Sequence, residues 1–200
     1  MSLFSESYRK TWQETHPHIP LPSFSGMTSS RPLEVLFDPQ CWTIKRGDPA
    51  AHRLWDMTQE LDCGYFIPPF QRGIVWDDKR SASFIESAYL GISLGSIVYN
   101  DASEFETSTE AFPRTDRWLI DGRQRCSALW SYTRDMLTVF ADSPFEHRWS
   151  DLTPLEQGHF CRIQIGFTKL AVEHEADLRL IYDRLNFGGV NHAEHERASI

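Results

Sequence analysis

Apolar side chains recur at helical spacing in four stretches of the chain, residues 48–64, 77–92, 122–133 and 175–186. An Asp-Pro pair opens the first stretch and a pair of aspartates opens the second; a glycine ends the first stretch, and two glycines follow the last. The spacing predicts four amphipathic helices. Their apolar faces are Leu54, Trp55, Thr58 and Leu61; Phe84, Ile85, Ala88, Tyr89 and Ile92; Cys126, Leu129, Trp130 and Thr133; and Leu178, Ile181, Tyr182 and Leu185.

Short apolar runs lie between these helices, at residues 65–67, 96–99, 118–120 and 163–170. Their length and their β-branched and aromatic residues are typical of strands. Strands that alternate with helices predict an α/β (α+β) fold. Residues 140–149 have neither periodicity, and we expect them to be irregular.

The first 31 residues carry no comparable pattern. Prolines interrupt residues 17–22, and residues 23–30 are rich in Ser and Gly. We expect a loosely ordered N-terminal arm over residues 1–31, either disordered or wrapped around the domain, and a single domain over residues 32–200. Residues 101–116 are acidic and rich in turn formers, which predicts an exposed loop.

Composition narrows the class of protein. The 200 residues are 40% hydrophobic, enough for a core, and they carry 20 basic and 28 acidic side chains for a net charge of -8. Such a charge argues against broad non-specific binding to DNA or membranes, although a local basic groove for DNA remains compatible with it. No apolar run is long enough to span a bilayer and no signal peptide is evident. Four widely spaced cysteines form no zinc pattern, so we expect reduced thiols and a cytoplasmic location.

One polar stretch, Asp121, Gly122, Arg123, Gln124 and Arg125, lies at a predicted strand-to-helix turn. Its glycine permits a backbone conformation or a close approach that a side chain would block. The N–H groups that start the next helix and the two arginines suit a phosphate group. Asp121 could bind Mg²⁺ or orient a water that Gln124 positions. The alternative is structural: Asp121 caps the helix, Gly122 makes the turn, and the arginines are solvated.

Two further polar clusters could belong to the same site. Gln71 and Arg72 follow two prolines, which stiffen the backbone and would present the arginine to an anion. Asn186 precedes the pair Gly188 and Gly189, which is first of all a helix end, but a glycine loop can also approach a nucleotide closely.

A metal site of protein ligands alone is not predicted. His192 and His195 are three residues apart, which one helical face could use together. No Cys or Asp completes a recognisable set, so we interpret these histidines as surface residues.

The three polar clusters together resemble the N-terminal domain of GmrSD-type modification-dependent restriction enzymes, a member of the ParB/sulfiredoxin-like superfamily. The family pattern is an IPxxQR strand end with a following Trp, a DGQQR turn, and a late NxGG turn with a downstream Glu. The matching residues here are 67–72 with Trp76, 121–125, and 186–189 with Glu196. The resemblance covers about residues 54–197. Arg123 replaces the first Gln of the DGQQR turn and adds a positive charge.

The resemblance implies a ParB-like fold, a small mixed sheet flanked by helices, with a pocket for a nucleoside triphosphate and Mg²⁺. By position, Asp121, Gln124 and Arg125 would carry the catalytic or phosphate role, with Asp121 as the metal ligand. The remaining pocket residues would contact phosphate or form the wall; they are Gln71, Arg72, Gly122, Arg123, Asn186, Gly188 and Gly189. The resemblance also implies a role in DNA-related phage defence, restriction or counter-defence. Enzymes of the family often contain a second, HNH-type nuclease domain, which we expect this chain to lack.

Three functions are compatible with these observations. We favour an NTP-binding and NTP-hydrolysing domain that acts on or near DNA. A metal-dependent nuclease on the same fold would use Asp121 with a nearby carboxylate such as Glu86. A non-catalytic module would bind a nuclease or a defence-system protein, with residues 104–110 as an acidic surface. The sequence alone does not decide whether the chain is an enzyme.

Overall fold

A four-stranded mixed sheet forms the centre of the protein. The computed structural model describes residues 6–18, 24, 26–38, 61–102 and 115–187. The sheet contains β1 (Gly26–Pro32), β4 (Ser96–Asn100), β5 (Leu119–Asp121) and β6 (Gln164–Leu170), and a separate hairpin pairs β2 (Leu61–Asp62) with β3 (Tyr65–Phe66). The spatial order is β1-β6-β4-β5, with β4 and β6 parallel and the two outer pairs antiparallel.

Five α-helices lie within the described residues: α1 (Glu6–Thr15), α2 (Asp78–Tyr89), α3 (Arg123–Tyr132), α4 (Pro154–Cys161) and α5 (Glu175–Phe187). The predicted helices α2, α3 and α5 are confirmed, and the Asp77 side chain caps α2 by accepting a bond from Arg80 N at 2.8 Å. None of the described helices has both the length and the apolar character that a membrane span needs. Strands interleaved with helices confirm the α/β class.

The inner strand β4 is buried on both of its faces because its side chains alternate between two cores. Ile97 and Tyr99 face the first core, and Val98 faces the second. The first core lies between the sheet and α2, α3 and α4, and its largest fully buried members include Ile85, Leu129, Tyr132, Phe160 and Phe167. The second core lies under α5 and contains Phe66, Val98, Trp118, Ile120, Leu170, Val172, Leu178 and Tyr182.

Several sequence predictions need correction. Residues 1–31 were predicted to be a loosely ordered arm, either disordered or wrapped around the domain; no helix or strand was predicted there, and its described residues include α1 and most of β1, which pairs with β6 over seven residues. Gly64 was predicted to end a helix, whereas it lies at φ +78° in the turn of the β2–β3 hairpin. The helix prediction for residues 48–60 lies outside the described residues. Most of the predicted acidic loop, residues 103–114, also lies outside them.

Two apolar positions also differ from the predicted helix faces. Ile92 follows the end of α2 and is 55% exposed, and Leu185 on α5 is 50% exposed. Both lie at helical spacing from buried residues of the same helix face. Neither of them belongs to the two cores formed by the described residues. Helix α4 was missed altogether, although Thr153 and Glu156 form a capping box around Pro154.

Candidate functional site

The predicted DGRQR turn joins the end of β5 to the start of α3. Gly122 is the N-cap of α3 and has a φ of +109°, a backbone conformation that side chains disfavour. A Cβ at this position would lie 2.4 Å from Ile97 Cδ1. The backbone conformation of the turn therefore favours glycine, and a Cβ would in addition force the end of the Ile97 side chain to shift.

Asp121 and Arg125 form a partly exposed ion pair within this turn. Asp121 Oδ1 accepts a bond from Gly122 N at 2.7 Å, and Arg125 Nη1 lies 3.3 Å from Asp121 Oδ2. The same Arg125 nitrogen donates to Ser96 O at 2.8 Å, which ties α3 to β4. The side chains remain 34% and 24% exposed, so both groups can still meet a ligand. Arg125 is not simply solvated, as the structural alternative had assumed.

Gln124 has its side chain buried, with 9% of the residue exposed, and it holds the neighbouring loop. Its Oε1 accepts bonds from Val75 N at 2.9 Å and Trp76 N at 3.1 Å, and its Nε2 donates to Gly73 O at 3.0 Å. These bonds use both acceptor sites of the amide oxygen and one of its two donors. Gln124 thus fixes the backbone of the loop at residues 73–76.

The second cluster, around Gln71 and Arg72, lies directly beside the first. Gln71 Nε2 donates to Leu119 O at 3.0 Å and to Ile120 O at 3.3 Å, and Arg123 Nη1 donates to Arg72 O at 3.0 Å. The Gln71 Oε1 atom is buried and finds no hydrogen-bond partner among the described residues. Two predicted clusters that are about 50 residues apart in sequence thus share one hydrogen-bonded surface.

The Arg72 side chain is the exposed group of this surface. Only its backbone is held: Arg72 O accepts from Arg123, and Arg72 N donates to Tyr182 Oη at 3.4 Å. Within the described ranges, its guanidinium makes no hydrogen bond or ion pair. The described residues thus fix the Arg72 backbone and leave its charged side chain exposed.

Of the third cluster, which comprises Asn186, Gly188 and Gly189, the structure describes only Asn186. Tyr182 on α5 contacts the Arg72 backbone, packs its ring against Phe70, and accepts a bond at its carbonyl from Asn186 Nδ2 at 2.9 Å. Asn186 therefore lies one helical turn from the second cluster. Gly188 and Gly189 lie outside the described residues. Tyr182 itself was predicted only as an apolar helix residue, and its hydroxyl gave no separate signal.

Asn100 is a buried polar residue that the sequence did not single out. Its Nδ2 donates to Thr115 O and Val172 O, both at 2.9 Å, and its Oδ1 accepts from Val172 N at 3.0 Å. Nearby, Asp116 Oδ1 accepts from Ala102 N at 2.7 Å, and burial raises the pKa of the Asp116 carboxyl. These bonds hold residues 100–102 against residues 115–116 and Val172. The available signal was an Asn-Asp pair at the end of an apolar strand.

The pairing of Asp121 with Glu86 in a nuclease metal site finds no support. Glu86 Oε1 accepts a bond from Phe140 N at 2.6 Å and so holds the loop after α3. Among the described residues, no group of three or more His, Cys, Asp or Glu side chains could hold a metal ion. His192 and His195 lie outside those residues. A surface groove of about 370 Å³ between Phe37, Arg134 and Trp149 contains none of the predicted site residues.

Comparison with known proteins agrees with the motif order. The family model described as the GmrSD restriction endonuclease, N-terminal domain, matches residues 54–198, which is most of the chain. No curated protein and no solved structure gave a significant match. The ParB-like assignment thus remains an expectation, whereas the α/β class rests on the observed sheet and helices. The chain belongs to the family of GmrSD restriction endonuclease N-terminal domains, and it is a protein related to restriction and phage defence.

Proposed function

We propose that this domain binds the phosphate groups of a nucleoside triphosphate and hydrolyses it as part of a restriction or phage-defence function. The binding surface comprises residues 71–76, the DGRQR turn and the end of α5. The observation that carries this proposal is the exposed guanidinium of Arg72. The backbone of this residue is fixed by hydrogen bonds to Arg123 and Tyr182. A fixed backbone lowers the ordering cost of binding an anion.

The surroundings of Arg72 also favour an anion. The helix dipole makes the start of α3 positive, and Gly122 N at this end donates to Asp121 Oδ1. Arginine presents two parallel donors to a phosphate. The charge of Asp121 is offset by Arg125 at 3.3 Å, so the pair adds little net repulsion against a phosphate.

Mg²⁺ fits this surface only together with a nucleotide. Asp121 is a single carboxylate, and its two oxygens already accept bonds from Gly122 N and Arg125. Mg²⁺ commonly combines one or two carboxylates with waters and substrate phosphates, and it would neutralise phosphate charge here. In this proposal Asp121 is the protein ligand, Arg125 holds that carboxylate in place, and Gln124 keeps the loop in position.

Thermal melts of the whole chain with ATP, GTP, CTP and UTP, each with and without Mg²⁺, test the proposal. A ligand at about 100 times its Kd stabilises the folded state by about 2.7 kcal/mol, which raises Tm by several degrees in a domain of this size. Phosphate release by wild type and by Asp121→Asn then separates binding from hydrolysis. The proposal fails if no nucleotide raises Tm, and its hydrolytic part fails if a bound nucleotide is never cleaved.

A further inference from the structure

We propose that β1 is a self-association edge, through which two copies of this chain pair their β1 strands antiparallel across a two-fold axis at Ser29. Among the strands that the structure describes, β1 is the outer strand of the sheet beside β6, and its first six residues are exposed. A strand in this position presents a row of unpaired N–H and C=O groups to solvent. The result of pairing would be one sheet that continues through both copies.

The strand has few of the features that normally prevent edge pairing. It is seven residues long, its pairing with β6 is continuous without a bulge, and its only proline, Pro32, is the last residue. Arg31 is its only charged residue. The Arg31 guanidinium lies over the Phe167 ring at 5.2 Å from the ring centre, so it folds back onto the sheet. Natural edges are usually protected by charges, bulges or prolines within the strand.

The sequence of β1 is compatible with a second copy of itself. Two-fold symmetry with all seven residues paired places Ser29 opposite Ser29 of the other copy and Thr28 opposite Ser30. Arg31 then faces Met27, an uncharged side chain that is 70% exposed. No like charges face each other in this register, and directly opposed like charges are the pairs that destabilise a sheet.

The contact is small, which sets the expected affinity. One strand pair buries less than the roughly 1,200 Å² of a standard stable interface, so we expect dimers to form between about 10 μM and about 1 mM protein. The choice of a second copy as the occupant rests on the charge pattern and the full seven-residue overlap. Pairing with a strand of another protein would leave the free chain monomeric.

Sedimentation equilibrium of the whole chain across this concentration range tests the proposal. Wild type should approach the dimer mass at the upper end, whereas Ser29→Glu and Ser29→Lys should each stay monomeric because like charges then face each other. An equimolar mixture of the two variants should dimerise again, through a Glu–Lys pair across the axis. The control Ser83→Glu, on the exposed side of α2, should behave as wild type.

Two results would overturn the proposal. One is a wild-type chain that stays monomeric throughout the range, and the other is a Ser29→Glu variant that associates as strongly as wild type. Circular dichroism of each variant confirms that the fold is retained. Nucleotide binding does not enter this experiment, so its outcome is independent of the proposed function.

Discussion

The amide of Gln124 contacts three residues of one loop, Gly73, Val75 and Trp76, through three hydrogen bonds. A glutamine in a DGRQR turn suggests by its chemistry a residue that orients a water. Because these bonds fix the loop backbone, we propose that it acts on a ligand as a positioning residue, through the loop that carries Arg72. Burial and full use of its oxygen support this view.

Removal of this amide should destabilise the fold. We expect Gln124→Ala to lower the free energy of unfolding by about 2–4 kcal/mol, because it leaves two backbone N–H groups and one carbonyl without partners. Gln124→Glu keeps the two accepted bonds and loses the donated one, so it should be less destabilising. Urea denaturation measures both. An alanine variant with wild-type stability but no nucleotide hydrolysis would instead indicate a direct catalytic role.

Asp116 gives the fold a pH dependence of known sign. Burial raises the pKa of this carboxyl above its ordinary value of 3.8, with a smaller contribution from the nearby Asp101. The folded state therefore binds the proton more tightly than the unfolded state does. The stabilisation from this proton is complete below pH 3.8 and is lost as the pH rises through the folded-state pKa.

The variant Asp116→Asn should remove this pH dependence while its side-chain oxygen still accepts the bond from Ala102 N. We expect the Tm of the variant, relative to wild type, to increase as the pH rises from about 3 to 7. Asp183→Asn, at an exposed position on α5, is the matched control for the change of carboxylate to amide. A relative Tm that falls with rising pH would contradict the assignment.

At the scale of elements, the sequence predicted those helices and strands whose apolar residues face a core. Helices α2, α3 and α5 and strands β4, β5 and β6 all have such a pattern and were predicted close to their observed bounds. Strand β1 was missed because it is exposed, so its Ser and Thr residues carry no alternation. Its place in the sheet depends on backbone pairing with β6, which is 140 residues away in sequence and leaves no local signal.

The candidate site was predictable in its residues but not in its bonds. Motif order identified Gln71, Arg72 and the DGRQR turn, and the structure brings them together. The contacts of Gln124 with the loop and of Tyr182 with Arg72 depend on tertiary packing, so local spacing could not indicate them. For the same reason, the division between Arg72, which is exposed, and Gln124, which is buried, became visible only in the structure.

The turn between β5 and α3 should tolerate no side chain at Gly122. Gly122→Ala would combine a φ of +109° with a Cβ 2.4 Å from Ile97 Cδ1, and we expect it to lower the free energy of unfolding by about 2–4 kcal/mol. Ile97→Val removes that Cδ1 atom and should recover the steric part of this loss in a double-mutant cycle. Equal stability of Gly122→Ala and wild type would show that the turn has a different backbone.

At the scale of the whole molecule, the chain has a net charge of -8, whereas the proposed site contains the arginines Arg72, Arg123 and Arg125. Arg72 is exposed at this site, where segments from three parts of the chain meet. A net negative charge repels polyanions that lack specific contacts with the site. The domain is therefore suited to a compact phosphate ligand, in agreement with the nucleotide proposal.

Calorimetric titration of the whole chain with the nucleotide that raises Tm most tests this central claim directly. Wild type, Arg72→Ala and Arg80→Ala are compared, because Arg80 is also exposed but lies on α2 outside the site. A charge-assisted contact contributes about 1.5–3 kcal/mol, so Arg72→Ala should weaken binding by at least about tenfold while Arg80→Ala stays near wild type. Equal affinities for all three proteins, or no measurable binding to wild type, would contradict the account.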